Sequence, residues 1–120
     1  MFINYSNHPI RTWSEKQRLA AAEYGEAVDM PFPQISASAG EADIDRLAAS
    51  EFEKIMRLAP DCVLCQGEMS FCYNLINRLK SAGVTVVAAC SERACTEKTL
   101  SDGSTIKQSV FNFVKFRKYL

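Results

Sequence analysis

The sequence predicts an α/β domain with a mostly parallel sheet, helices on both faces and a C-terminal β-hairpin. Three observations predict it. Short apolar runs at residues 1 to 6, 27 to 30, 62 to 65 and 84 to 89 alternate with segments of helical spacing, which is the order of a βαβαβαβ unit. The run Val84 to Ala89 is apolar throughout, as strands covered on both faces are. Asp102-Gly103 lies between two extended segments, Ala94 to Leu100 and Thr105 to Tyr119, and reads as a hairpin turn.

Each element has a local reason. Residues 1 to 6 form the first strand. Ser14 with Gln17 three residues later is a capping box, opening a helix that runs through Ala20-Ala21-Ala22 to Tyr24 and closes at Gly25. Ala27 to Met30 is a short strand stopped by Pro31 and Pro33, and Ser36 to Gly40 is a loop. Ile44, Leu47, Ala48, Phe52, Ile55, Met56 and Ala59 then fall on one helical face, ended by Pro60. Cys62 to Cys65 is the third strand. Phe71, Cys72, Leu75, Ile76 and Leu79 mark a third helix that stops at Gly83. The expected strand order is 2-1-3-4, with the hairpin on the far edge and right-handed crossovers. The final segment, Val110 to Tyr119, alternates only partly.

Composition bounds the function. At 120 residues the chain reads as one domain, residues 1 to 120, able to bury roughly two-thirds of its unfolded surface. Basic and acidic side chains balance at 14 each, so the strong positive field of a duplex nucleic-acid binder is lacking. The charge is uneven along the chain: residues 1 to 90 carry eight basic and eleven acidic side chains, residues 91 to 120 six and three. An anionic ligand is therefore expected near the C-terminal quarter. Neither a signal sequence nor an apolar run of the ~20 residues that span a bilayer is found, and five cysteines then read as reduced thiols of a cytoplasmic protein. Cys62-x-x-Cys65 is not expected to hold a metal, because residues three apart in a strand point to opposite faces. No cofactor is expected.

Four polar clusters follow the four strands: Tyr5-Ser6-Asn7-His8, Met30-Pro31-Phe32-Pro33, Gln66-Gly67-Glu68-Met69-Ser70 and Cys90-Ser91-Glu92-Arg93. In an open α/β sheet such ends converge where ligands bind. Several of these residues have two readings. His8 either caps or decorates its loop, or serves a ligand as the one side chain that ordinarily titrates near neutrality. Gly67 either supplies a positive φ or admits a phosphate to the first amides of the third helix, with Glu68 opposing the phosphate unless it serves the helix dipole. Arg93 either pairs with Glu92 or Glu97 or clamps a phosphate with its planar fork. Trp13 is a loop anchor or a stacking platform. Lys115, Arg117 and Lys118 form a solvated strand face that also draws anions.

A resemblance joins several of these residues. Gln66-Gly67-Glu68 with Tyr73, the Ser91-x-Arg93 pair, Asp102-Gly103 and the tail Val110-Phe111-x-x-Val114-x-Phe116-Arg117-Lys118-Tyr119 resemble the small CRISPR-associated ring nucleases, single-domain relatives of the CARF sensor fold from type III CRISPR systems. The start, Ser6-Asn7-His8 followed by Ser14-Glu15-Lys16-Gln17, is similar as well. Phe113 stands where the family pattern has a histidine, and one extra residue separates Ser6 from His8.

The resemblance implies a Rossmann-like, CARF-like fold and a homodimer that binds cyclic tetra-adenylate across its two-fold axis. It further implies cleavage to linear di-adenylates, which ends an antiviral signal. On this expectation His8, Arg93 and Ser91 are catalytic. Ser6, Asn7, Gln66, Gly67, Glu68, Met69 and Ser70 bind the ligand together with Arg93. Two alternatives stand beside it. One is a non-catalytic sponge or sensor of the same ligand. The other is an enzyme similar to nucleoside deoxyribosyltransferases, in which Glu68 attacks the sugar.

Overall fold

The computed structural model describes residues 1–120 as a mixed five-stranded sheet in the order β2-β1-β3-β4-β5 with helices on both faces. The strands are β1 (Phe2–Tyr5), β2 (Ala27–Asp29), β3 (Cys62–Cys65), β4 (Thr85–Thr99) and β5 (Thr105–Lys118). The helices are α1 (Glu15–Ala22), α2 (Glu41–Arg57) and α3 (Met69–Ser81), with a 3-10 turn at Ile10–Thr12. The first four strands run parallel and β5 returns antiparallel beside β4. This matches the expected order. No helix is long and apolar enough to cross a membrane.

The sheet's two faces carry separate cores. Ile3, Tyr5, Val63, Cys65 and Val86 pack under α2 and α3 with Ile55, Phe71, Leu75 and Leu79. Phe2, Cys62, Leu64 and Val87 face the other way, toward Trp13 and Ala21 at α1. The period of two in each strand thus divides Cys62 from Cys65, and the two thiols lie in different cores. Burial pushes the Cys62 thiol up to about 12, so it stays protonated.

Local chemistry sets the helix ends. Ser14 Oγ accepts from Gln17 N at 3.2 Å to start α1, and Gly25 closes that connection with φ 109°. Before α2, Gly40 N donates to Asp43 Oδ2 at 3.0 Å. Helix α2 ends at Arg57, two residues short of the predicted Ala59, which instead takes a left-handed φ of 49° before Pro60.

The main departure from expectation lies after residue 89. Cys90-Ser91-Glu92-Arg93 does not end a strand. Instead β4 continues unbroken to Thr99, and the hairpin is the extension of β4 rather than a separate unit. The two strands pair from Val87 with Lys118 out to Thr99 with Thr105. Beyond the body nothing of the chain covers them: Ser91–Arg93, Cys95–Thr99 and Thr105–Asn112 are exposed. The result is a projecting arm. It raises the radius of gyration to 17.2 Å, against about 14 Å for a compact chain of this length.

One irregularity re-aims the arm's base. Cys90 pairs with Lys115 but Ser91 pairs with Phe113, leaving Val114 as an extra residue in β5. Such a bulge inverts the facing of everything beyond it. Phe113 and Phe116, three residues apart, therefore share the α1 face. That explains the incomplete alternation of the tail.

Candidate functional site

A cavity of about 830 Å³ opens beyond the carboxyl ends of β1 and β3, between α1 and the base of the arm. Its polar wall contains Ser6, His8, Lys16, Gln17, Gln66 and Ser91, and Trp13, Phe111 and Phe113 contribute its aromatic surface. No aspartate or glutamate lines it. In a chain with 14 carboxylates balancing 14 cations, that exclusion leaves Lys16 as the only fixed charge on the wall.

The loop that presents Ser6 and His8 is held from below. Buried Asn4 donates from Nδ2 to His8 O and to Asp29 Oδ1, both at 2.8 Å, and accepts from Ser6 Oγ at 2.7 Å. Ser6 Oγ in turn accepts from His8 N at 3.2 Å. Trp13 Nε1 donates to His8 O at 3.0 Å while its ring packs edge-on against Phe2. Every polar atom of Asn4 is thus used in fixing the loop, so the cost of burying it is met. The His8 ring itself is exposed and makes no hydrogen bond within the chain, which leaves both nitrogens open to a ligand.

Gln66 completes a ladder where β3 runs out. Its Oε1 accepts from Ala89 N at 3.0 Å, extending the β3 to β4 pairing by one side chain. The amide nitrogen remains a donor for the cavity it lines. On the facing wall, Ser91 follows Ala89 on the same side of β4.

The second half of the predicted constellation goes elsewhere. Glu68 caps α3: its carboxylate accepts from Phe71 N at 2.7 Å, from Ser70 N at 3.1 Å and from the Ser70 hydroxyl. The amide of Phe71, then the Ser70 hydroxyl and amide, hold this carboxyl below its ordinary range. The amides proposed for a phosphate after Gly67 are therefore occupied by the chain's own anion. Gly67 also lacks the positive φ that its turn position suggested. It is glycine for space: a Cβ there would meet Phe32 Cζ at 2.2 Å. Phe32, not a phosphate, fills the gap. Met69 and Ser70 border other depressions at α3, and Asn7 lies with Phe32 and Glu68 outside the main cavity.

Arg93 is also displaced from its expected place. Because β4 does not end, the residue is carried out along the arm, opposite Phe111, and it does not line the cavity. Its Nε and Nη2 donate to Ser109 Oγ at 3.2 and 2.9 Å, toward the arm's tip, and neither Glu92 nor Glu97 pairs with it. Trp13 takes the anchoring role and still borders the cavity. Sequence reasoning did not single out Lys16, Asn4 or Asp29 as site residues. Lys16 was visible only as one position of the Ser14-Glu15-Lys16-Gln17 start, and Asn4 is hidden inside an apolar strand.

No curated protein matches the chain. The family model described as "Uncharacterized protein MJ1673 family" matches residues 1–117. With a match over nearly its whole length, the chain belongs to the MJ1673 family.

Proposed function

We propose that the cavity binds a cyclic oligoadenylate, cyclic tetra-adenylate being the expected ring, in a Rossmann-like, CARF-like homodimer of a type III CRISPR system. The observation that carries this reading is a large cleft with hydroxyl and amide donors, aromatic rings, one lysine and no carboxylate. Phosphates are repelled by carboxylates and bound by such donors, and adenines stack on aromatic faces. Lys16 takes the role of cationic anchor that the sequence suggested for Arg93, and Ser6, Gln66 and Ser91 supply fixing hydrogen bonds.

Ring opening follows from the same inventory. A ribose 2′-hydroxyl attacks its neighbouring phosphorus, the bond from phosphorus to the 5′-oxygen breaks, and a 2′,3′-cyclic phosphate and a 5′-hydroxyl result. His8 takes the proton of the attacking hydroxyl or returns one to the leaving oxygen. The protein otherwise holds the reacting atoms in line and stabilises charge on the phosphate. Repeating the cut at the symmetric position gives linear di-adenylates and removes the messenger.

A non-catalytic binder is the second reading, and one observation favours it. His8 is the only imidazole on the wall and no carboxylate stands there with it, so a paired general acid and general base are not both present in one protomer. The glutamate-nucleophile reading has less support, because both carboxylate oxygens of Glu68 are engaged in the α3 cap.

The deciding experiment incubates the protein with cyclic tetra-adenylate in EDTA and follows bound and cleaved nucleotide by chromatography. Linear adenylates that disappear with His8→Ala support the nuclease. An intact, tightly bound ring supports the sponge or sensor, and neither binding nor cleavage rejects both.

A further inference from the structure

The arm carries an unused strand edge. Along β4, Leu100 N donates to Ser104 O, Tyr119 N donates to Val86 O, and Ala89 N turns the other way to Gln66. Alternation then directs the even-numbered residues of β4 toward β5 and the odd-numbered ones away from it. The odd positions are satisfied by β3 as far as Val87 and by Gln66 at Ala89. Arg93, Cys95 and Glu97 direct their backbone N–H and C=O groups to an open edge. A two-stranded ribbon is marginal in water on its own, and this one exposes Ile106, Val110 and Phe111.

The charge order along that edge is self-complementary. In Glu92-Arg93-Ala94-Cys95-Thr96-Glu97-Lys98, antiparallel pairing of two copies about Cys95 sets Glu92 against Lys98 and Arg93 against Glu97, on both sides of the two-fold axis. Registers centred on Ala94 or Thr96 match none of these charges, and those centred on Arg93 or Glu97 oppose like charges. The Cys95 register also brings odd residues opposite odd residues, as the free N–H and C=O groups require. The other edge, β5, offers no equivalent: it holds Lys107, Lys115, Arg117 and Lys118 with no acidic residue, the pattern of an edge guarded against pairing.

We propose that two copies of this chain join through their β4 arms, antiparallel about Cys95, into a continuous sheet β5-β4-β4-β5 across the two-fold axis. It rests on the arm's backbone and charges and holds whatever ligand the cavity takes, although it gives an interface to the homodimer proposed above. The same register carries the partner's turn, Ser101 to Gly103 of the partner subunit, to a position beside Ala89 and Gln66. There it adds a wall to the cavity that one protomer leaves open.

The test needs no nucleotide, so its outcome is independent of the ligand reading. Glu92 and Lys98 lie opposite the neutral Asn112 and Ile106 within their own chain, so changing them disturbs the dimer and not the arm. Sedimentation at micromolar concentration is expected to show a dimer for the natural sequence, at least tenfold weaker association for Glu92→Lys, and recovery in Glu92→Lys/Lys98→Glu. A short bis-maleimide is expected to link two chains through exposed Cys95, and Cys95→Ser to abolish the link. A monomeric natural protein, or a dimer indifferent to Glu92→Lys, overturns the proposal, as does a cross-link that survives Cys95→Ser.

Discussion

The rings of Phe113 and Phe116 meet at 60° with centroids 4.9 Å apart, although the two residues are three positions apart in one strand. The extra residue Val114 makes this possible by inverting the strand's facing between them. Phe116 continues the contact inward, at 5.1 Å from Phe2 and 6.1 Å from Trp13. This chain of rings ties the base of the arm to the α1 core and to the loop that presents His8.

Phe116→Ala is accordingly expected to destabilise the protein by about 3 kcal/mol in urea unfolding, since it removes a partly buried ring from that cluster. Val114→Ala, at the exposed bulge, is expected to change stability by less than about 0.5 kcal/mol. Equal effects would show that the bulge does not divide the two faces as described.

Space, not backbone freedom, fixes Gly67. A methyl group there would fall 2.2 Å from Phe32 Cζ, and that ring is wedged between Tyr5 and Phe71 at 5.3 and 5.5 Å. Gly67→Ala is expected to cost about 1–3 kcal/mol by overpacking. In Phe32→Leu the same substitution should cost clearly less. A double-mutant cycle by urea unfolding measures the difference, and additivity would refute the contact.

Strand positions were readable from the apolar runs because buried parallel strands leave an unmistakable composition, whereas the order among them is set by how the crossovers pack and not by composition. The arm was not. Residues 94 to 100 carry little apolar content, and Cys90-Ser91-Glu92-Arg93 resembles a loop start, yet β5 supplies backbone partners that sustain β4 without any core beneath it. The site divided along the same line. Ser6, His8, Gln66 and Ser91 converge because each follows a body strand closely, whereas Arg93 leaves with the arm and Glu68 turns into its own helix. Lys16 enters from α1, a neighbour in space that strand ends do not reveal.

Ala59 is the one non-glycine residue with positive φ, 49°, and it stands where a helix commonly ends on glycine. Ala59→Gly is expected to stabilise by about 1 kcal/mol, relief of left-handed strain outweighing the greater freedom of the unfolded chain. A lower thermal midpoint in the variant would contradict this assignment of strain.

The Glu68 cap has a signed pH dependence. The folded carboxyl is depressed below its ordinary 4.5, chiefly by the Phe71 amide and then by Ser70. Its contribution is therefore complete above that ordinary value and is lost as pH falls through the lower, folded one. Glu68→Gln should lower the thermal midpoint most at neutral pH. The gap between variant and natural protein should narrow steadily below pH 4.5. A gap constant with pH would mean that the charge of Glu68 does not contribute to the cap.

The cavity distinguishes its two candidate cations. Lys16 lies on the wall with no carboxylate beside it, whereas the Arg93 fork is turned to Ser109 on the arm. For cyclic tetra-adenylate, Lys16→Ala is expected to weaken binding at least tenfold and to flatten its salt dependence, as the loss of a phosphate contact does. An Arg93→Ala effect on affinity is expected to be small when compared at protein concentrations where both proteins are dimeric. Titration calorimetry at two salt concentrations reads both quantities. Full loss with Arg93→Ala and none with Lys16→Ala would return the phosphate clamp to the arm, and would require Arg93 to exchange Ser109 for the ligand on binding.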